Sequence, residues 1–145
     1  MKCLLIFLLS NALTSYSQTT NGILTVNTSD FNNDKGKAIL FQFRKDDKIP
    51  SGPYKTITAE IKDRNAAFQI SNIPYGNYAI ILLHDENDNG KIDHSLGLPS
   101  EQLGYSNNWE LGFFTGMPTF SKLKFLFSAS EIIQNITITY KKNKK

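Results

Sequence analysis

Apolar residues recur in short runs with a period of two along most of this 145-residue chain, and the runs are rich in Ile, Phe, Thr and Tyr. Asn, Asp, Gly and Pro separate the runs, which is typical of β-strands joined by turns. The pattern predicts seven strands, over residues 22–28, 37–43, 54–62, 65–71, 77–84, 121–128 and 132–140. No long run shows helical spacing. We therefore expect an all-β fold, a single antiparallel seven-stranded β-sandwich of immunoglobulin-like or transthyretin-like type.

The fifth predicted strand, residues 77–84, carries apolar side chains on both of its faces. A strand without a polar face is buried on both sides, so we expect this strand at the centre of its sheet. The segment over residues 62–65 combines Asp63 with Arg64 and Asn65, and it predicts a tight hairpin turn between the third and fourth strands.

A long loop insertion follows the fifth strand, over residues 85–120. A connection of this length inside a compact domain is usually functional or internally braced. Its large aromatic residues include Trp109, Phe113, Phe114 and Phe120. Because so many exposed aromatics would form an apolar patch prone to association, we expect them to fold back over an open end or edge of the sandwich.

The start of the chain combines a basic residue, Lys2, with an apolar run that is too short to span a bilayer. Small residues at Ser15 and Ser17 suit a signal peptidase. We therefore predict a secretory signal peptide over residues 1–17 and a single β-sandwich domain over residues 18–145. The protein is expected to be exported, either periplasmic or secreted, with no transmembrane segment after the leader is removed.

Composition narrows the classes of function. Cys3 is the only cysteine and lies in the predicted leader, so disulfides cannot stabilise the exported domain. Lys and Arg number 16 against 13 Asp and Glu, but one of these basic residues lies in the leader and four lie in the last five positions. The rest of the chain has no basic stripe interleaved with aromatics, which excludes a nucleic-acid-binding face.

Oxygen-bearing side chains stand at alternate positions where the insertion begins. Positions 1, 3, 5, 6 and 9 of a calcium-binding loop are filled in order by Asp85, Asn87, Asn89, Gly90 and Asp93. The carbonyl oxygen of Lys91 is the expected ligand at position 7, and Ile92 is expected to point inward and anchor the loop. Position 12, where such loops carry a bidentate Glu, is Leu96, so Glu101 or water would complete the set.

This pattern predicts a structural Ca²⁺ site whose ligands are Asp85, Asn87, Asn89, Lys91, Asp93 and Glu101. The alternative is a plain turn, since turns also favour Asn, Asp and Gly. A second alternative is zinc, because the only two histidines, His84 and His94, flank the loop. Oxygen ligands outnumber nitrogen here and no cysteine is present, which favours calcium.

We find no convincing constellation of catalytic residues. Ser95, His84 and Asp93 could form a triad, but triads are recognised by geometry, and a chain of this size yields such sets by chance. A small metal-dependent hydrolase or lyase centred on His84 with Asp85 or Asp93 stays open as the alternative to a protein that is not an enzyme.

Three segments resemble a known bacterial family, and they read IPYGNYAI (73–80), HDENDNGKID (84–93) and GLPSEQLGYSNN (97–108). With the later PTF (118–120), they are similar to the family called domain of unknown function 2141, and Ser100 and Leu103 are mild departures from its pattern. The resemblance implies an exported bacterial protein, commonly from Gram-negative groups, with a sandwich fold. It implies no activity.

These observations favour a non-enzymatic binding or structural module with a Ca²⁺-stabilised loop. Residues 104–109 contain Tyr105 and Trp109, which supply large and fairly rigid contact area, so this segment is the expected recognition surface. The alternative is that these aromatics cover an edge of the core. The partner is expected to be a protein or a glycan at the cell envelope.

Overall fold

The computed structural model describes residues 20–112 and 114–139. The predicted signal peptide over residues 1–17 lies outside the described residues. Phe113 also lies outside them, and so does Tyr140, the last residue of the seventh predicted strand. Strands account for 55% of the structure, which confirms the all-β class. Within the described ranges, no helix is long and apolar enough to cross a membrane.

The described residues form ten strands, one short helix and one 3₁₀ turn. In chain order they are β1 (Asn21–Ser29), β2 (Lys37–Phe43), β3 (Lys55–Ala59), β4 (Ala66–Pro74), β5 (Gly76–Asp85), β6 (His94–Ser95), β7 (Leu98–Pro99), β8 (Leu103–Tyr105), the 3₁₀ turn (Ser106–Asn108), α1 (Phe120–Leu123), β9 (Phe125–Phe127) and β10 (Glu131–Thr139).

Eight of these strands form a single sheet. Seven follow one another in the order β3-β2-β5-β8-β10-β1-β4, and β9 pairs with β5 as the eighth. The pairings are antiparallel except the one between β1 and β10, which is parallel. Instead of the expected seven-stranded sandwich, the sheet is nearly closed like a barrel. The difference arises because β8, a three-residue strand inside the insertion, pairs with both β5 and β10.

The interior of this sheet is a cluster of fully buried apolar side chains. It includes Leu24, Leu40, Ile70, Leu82, Phe127 and Ile136, none more than 2% exposed. Burying each side chain of this size contributes roughly 1.5–3 kcal/mol, so the cluster is the main source of stability. Strand β5 is buried on both faces and lies between β2 and β8, which confirms the predicted central position.

A second apolar cluster covers the outer face of β2, β5 and β8. Trp109 and Phe120 pack against it from the insertion, so they fold back as predicted, but onto a face of the sheet rather than an open end or edge. Ile92 also packs there and anchors the loop before it, as predicted. Phe114 is 98% exposed, and the prediction that it folds back is wrong.

The hairpin predicted at residues 62–65 is confirmed. Lys62 and Asn65 exchange both backbone hydrogen bonds at 2.9 Å, and Asp63 and Arg64 adopt positive φ angles. The carboxylate of Asp34 accepts the backbone N–H groups of Asp63 and Arg64 at 3.0 and 2.7 Å, which ties this turn to the loop before β2.

The strand predicted over residues 121–128 is wrong in its first half. The backbone N–H groups of Lys122 and Leu123 donate to the carbonyl of Thr119 at 3.1 and 3.2 Å, so the segment begins as the single helical turn α1. Leu123 is fully buried in the outer cluster, and only the following residues pair with β5 as β9. One apolar side chain buried on each side of Lys124 produced the alternating pattern without a continuous strand.

Candidate metal centre

The loop predicted to bind calcium starts at Asp85, the last residue of β5, which is only 1% exposed. The carboxylate of Asp85 accepts the backbone N–H of Asn89 at 3.1 Å and that of Gly90 at 2.8 Å. Gly90 adopts a φ of 74° and Asp88 a φ of 62°, so the chain turns sharply around this carboxylate. A short-range motif read from sequence therefore forms a compact loop in the structure.

The other predicted side-chain ligands converge on one another. Asn87 donates its amide to Asp93 Oδ2 at 2.6 Å, and Asn89 donates to both oxygens of Asp93 at 3.1 and 3.0 Å. The side-chain oxygens of Asn87 and Asn89 accept the backbone N–H groups of Asn89 and Lys91. The carbonyl of Lys91 makes no hydrogen bond within the described residues. The loop thus places Asp93 against Asn87 and Asn89, and the carbonyl oxygen of Lys91 keeps its lone pairs available.

Glu101 reaches this loop from the far side of the β6–β7 hairpin, as predicted. Its Oε2 accepts the backbone N–H of Asp93 at 3.0 Å. Its Oε1 is buried and has no hydrogen-bond partner within the described residues. Burial raises the pKa of Glu101 above its ordinary value of 4.5, and the charges of Asp93 and Asp85 raise it further, while the backbone N–H groups of Asp93 and Glu86 act to lower it. A carboxylate oxygen is therefore held out of water beside two other acids.

The raised pKa of Glu101 predicts a specific pH dependence in EDTA. A raised folded-state pKa means that the contribution of Glu101 to stability is complete below pH 4.5 and is lost as pH rises through the folded-state value. We expect the Glu101→Gln variant, which is neutral at every pH, to be more stable than the wild type at pH 8 and to lose this advantage by pH 4. Urea unfolding between these limits measures the difference, and parallel stability profiles would contradict the prediction.

The donor set mixes residue types. In residues 20–112 and 114–139, no group of three or more His, Cys, Asp or Glu side chains is arranged as a metal site. An ion in this loop would therefore need the amide and backbone oxygens as well as the carboxylates of Asp85, Asp93 and Glu101. Such an all-oxygen set suits a hard cation such as Ca²⁺ and not a transition metal.

The His84 ring has a different role from the one that a zinc site requires. It is fully buried, with Nδ1 3.0 Å from Gln102 Oε1 and Nε2 3.0 Å from the carbonyl oxygen of Lys35. Phe31 packs edge-on against the ring at 5.2 Å. Both ring nitrogens are therefore used within the fold, while His94 lies exposed in β6. The geometry does not bring the two histidines together as ligands.

Gln102 is a central residue of this region that the sequence patterns did not identify. Its Oε1 also accepts the backbone N–H of Asn32 at 2.7 Å, and its Nε2 donates to the carbonyl of Asp30 at 3.4 Å. It therefore joins the loop before β2 to the insertion through His84. In the sequence, only its position next to Glu101 indicated that Gln102 belongs to this region.

The segment predicted as a recognition surface, residues 104–109, is buried only in its first half: residues 104–106 are buried, Trp109 is partly buried, and Asn107 and Asn108 are exposed. Tyr105 is 3% exposed, burial raises its pKa to about 12, and it packs edge-on against Trp109 at 5.0 Å. The prediction that Tyr105 offers contact area is therefore wrong, and the core-covering alternative holds for it.

Ser106 explains why the first half of this segment lies inside. Its hydroxyl accepts the backbone N–H of Ile80 at 3.0 Å and donates to the carbonyl of Leu123 at 2.6 Å. The amide of Asn107 donates to the carbonyls of Leu123 and Lys124, and the side-chain oxygen of Asn108 accepts the N–H of Thr137. The three polar residues thus connect β5, α1 and β10, so their role is structural.

The fold and this loop define an all-β protein with an acidic, asparagine-rich loop at one end of its central strand. The chain belongs to the family DUF2141, described as an uncharacterized protein conserved in bacteria, whose family model matches residues 26–135. The resemblance seen in the sequence is therefore confirmed. No curated protein and no solved structure matches the chain significantly.

Proposed function

We propose that this protein is an exported, non-enzymatic binding or structural module whose loop over residues 85–93 binds one Ca²⁺. Support for export comes from the leader-like residues 1–17, with their basic start, short apolar run and small residues. Support for a role other than catalysis comes from His84, whose two ring nitrogens are engaged in the fold. The partner is a protein or a glycan of the cell envelope.

The observation that carries the calcium proposal is the state of Glu101. One of its oxygens is buried without a hydrogen-bond partner in the described part of the chain, and the charges of Asp93 and Asp85 act on it. An arrangement of this kind is costly unless a cation or a proton compensates it. A hard divalent ion, held with the help of the amide and backbone oxygens of the loop, would supply the compensating positive charge.

The ion would be held by side-chain oxygens of Asp85, Asn87, Asn89, Asp93 and Glu101 and by the carbonyl of Lys91. Bound Ca²⁺ supplies charge neutralisation and cross-linking here, and no chemistry on a substrate. Asp93 and Glu101 flank the β6–β7 hairpin, whose base is closed by the Ser100 N–H donating to the Asp93 carbonyl at 2.9 Å. An ion shared by Asp93 and Glu101 would therefore fix the insertion to the end of β5.

Calcium is expected to stabilise the protein strongly. Sites of extracellular modules bind with a dissociation constant of about 10⁻⁴ to 10⁻³ M. At 100 times that constant, a ligand specific for the folded state stabilises by about 2.7 kcal/mol, which corresponds to roughly 10 °C in melting temperature for a domain of this size. Differential scanning calorimetry in CaCl₂, in MgCl₂ and in EDTA measures the shift, and only calcium should produce it.

Two variants separate the site from general charge effects. Glu101→Gln should abolish most of the calcium-dependent shift, because it removes one ligand charge while keeping the shape of the side chain. Asp88→Asn is the matched control, since Asp88 lies in the same loop but pairs with Lys37 at 2.9 Å at the surface. The Asp88→Asn variant should keep the full calcium-dependent rise in melting temperature. Flat titration calorimetry at millimolar calcium, or equal loss of the shift in both variants, would rule out the site.

A further inference from the structure

A cleft of about 840 Å³ lies at the end of the sheet opposite the calcium loop. One wall is the loop over residues 44–47 that follows β2, the floor is the segment over residues 75–78, and the other wall includes α1 and Lys124. In the β2–β5 pairing, Phe43 lies opposite Ala79 near this cleft, whereas Lys37 lies opposite Asp85 near the loop. The two regions are therefore separated by most of the length of β5.

Arg44 is fixed on the first wall with its hydrogen-bond donors still available. Its guanidinium lies 3.8 Å over the ring of Tyr54, and its Nε is 3.7 Å from Asp47 Oδ2. That Asp47 oxygen already accepts the backbone N–H of Arg44 at 2.6 Å. Within the described residues the guanidinium makes no hydrogen bond of its own. A planar cation held by stacking in this way is preorganised for a carboxylate, sulfate or phosphate group.

Two further cations border the cleft without an acidic partner in the described ranges. Lys45 stands beside Arg44, and Lys124 lies on the opposite wall after α1, both exposed. Positive charge thus approaches the cleft from two sides, and its three cations outnumber the two carboxylates that also line it, Asp46 and Asp47. A compact anion bound to Arg44 and Lys45 on the first wall would not reach Lys124 on the opposite wall. The arrangement therefore favours an extended anionic ligand.

The remaining lining groups suit the hydroxylated body of a sugar. Tyr75 and Phe120 are only partly buried, so part of each ring is available to the cleft. Asp46 and Asn77 are exposed and offer acceptors and a donor for hydroxyl groups. Tyr78 lies buried at the floor, where its hydroxyl donates to the carbonyl of Pro74 at 2.9 Å. Aromatic surface combined with a few polar groups is the usual composition of a ligand pocket, and the volume is within the usual range.

We propose that this cleft binds an acidic oligosaccharide, a sugar chain that carries carboxylate or sulfate groups. The acidic groups bind Arg44, Lys45 and Lys124, a sugar ring packs on Tyr75, and hydroxyl groups bind Asp46 and Asn77. The proposal deepens the binding part of the proposed function by naming the class of partner, and it does not depend on calcium.

Isothermal titration calorimetry of the purified protein in EDTA tests the proposal. The acidic probes are tetragalacturonate, tetramannuronate and a heparin-derived tetrasaccharide. Galactotetraose and cellotetraose are the neutral probes, and tripolyphosphate is the anion without a sugar. At least one acidic tetrasaccharide should bind at least about tenfold more tightly than the neutral sugars and tripolyphosphate, a difference that the combined sugar and charge contacts readily supply.

The variants Arg44→Gln and Lys124→Gln should each weaken that binding at least about tenfold. Lys55→Gln, which removes an exposed cation of β3 outside the cleft, should leave it unchanged. The proposal is overturned if no acidic probe binds, if tripolyphosphate or a neutral sugar binds equally well, or if both cleft variants bind like the wild type. Failure here would leave the calcium-dependent melting shift intact, so the two proposals are judged separately.

Discussion

Replacing Gly36 by alanine should lower the free energy of unfolding by about 3–5 kcal/mol. Gly36 adopts a φ of 68°, a conformation that L side chains rarely take. A Cβ atom there would lie 1.9 Å from the carbonyl oxygen of Asp85 and 2.7 Å from the Cα of Glu86. Because both are backbone atoms, no side chain can move aside, and β2 must separate from the start of the loop over residues 85–93.

Urea unfolding in EDTA measures this loss without any contribution from calcium. Gly97→Ala is the matched control, since Gly97 adopts a similar φ of 79° but a Cβ there meets nothing within 4 Å. It should cost only the conformational strain, about 1–2 kcal/mol. If both variants lose the same free energy, the close approach of Gly36 to Asp85 does not matter for stability.

Replacing His84 by alanine should lower the free energy of unfolding by about 3–4 kcal/mol. The substitution leaves a cavity next to Phe31 and removes the contacts of the ring with Gln102 and the carbonyl of Lys35. These contacts join the loop before β2 to the insertion, so their loss affects both segments. A metal-binding or catalytic histidine would instead be replaceable with little loss of stability.

The exposed histidine provides the control for this substitution. His94→Ala should change the free energy of unfolding by less than about 0.5 kcal/mol, as is usual for a surface position. Chemical denaturation of both variants, with and without ZnCl₂, distinguishes the structural role from the zinc alternative. A zinc-dependent stabilisation of the wild type that His84→Ala abolishes would contradict the structural role.

The alternation of apolar and polar residues was sufficient to predict strands such as β1 and β4, because each of them buries one face along most of its length. For example, β1 alternates exposed and buried residues from Asn21 to Thr28. The same reasoning could not find β8, whose three residues are all buried and give no period. Its pairing partners, β5 and β10, are distant in sequence, and it is this strand that changes a sandwich into a nearly closed sheet.

The candidate site was predictable to the extent that its geometry is local. The spacing of Asp85, Asn87, Asn89 and Asp93 places these residues in one loop because a short turn brings alternate positions together. Gly36 and Gln102 were not predictable, since their contacts with the loop region depend on how separate strands pair. Gln42 is a similar case, a fully buried amide with no hydrogen-bond partner among the described residues, and the strand pattern gives no sign of it.

The parallel pairing of β1 with β10 has a consequence for how the protein is made. Residues near the two ends of the described chain, such as Leu24 and Ile132, are partners in the same ladder, and β10 is also the neighbour of β8. A nascent chain therefore lacks the strand on which both halves depend until β10 has been synthesised. Contacts between such distant segments form slowly, so the sheet should stay open between β1 and β8 until β10 has been made and has paired with both of them.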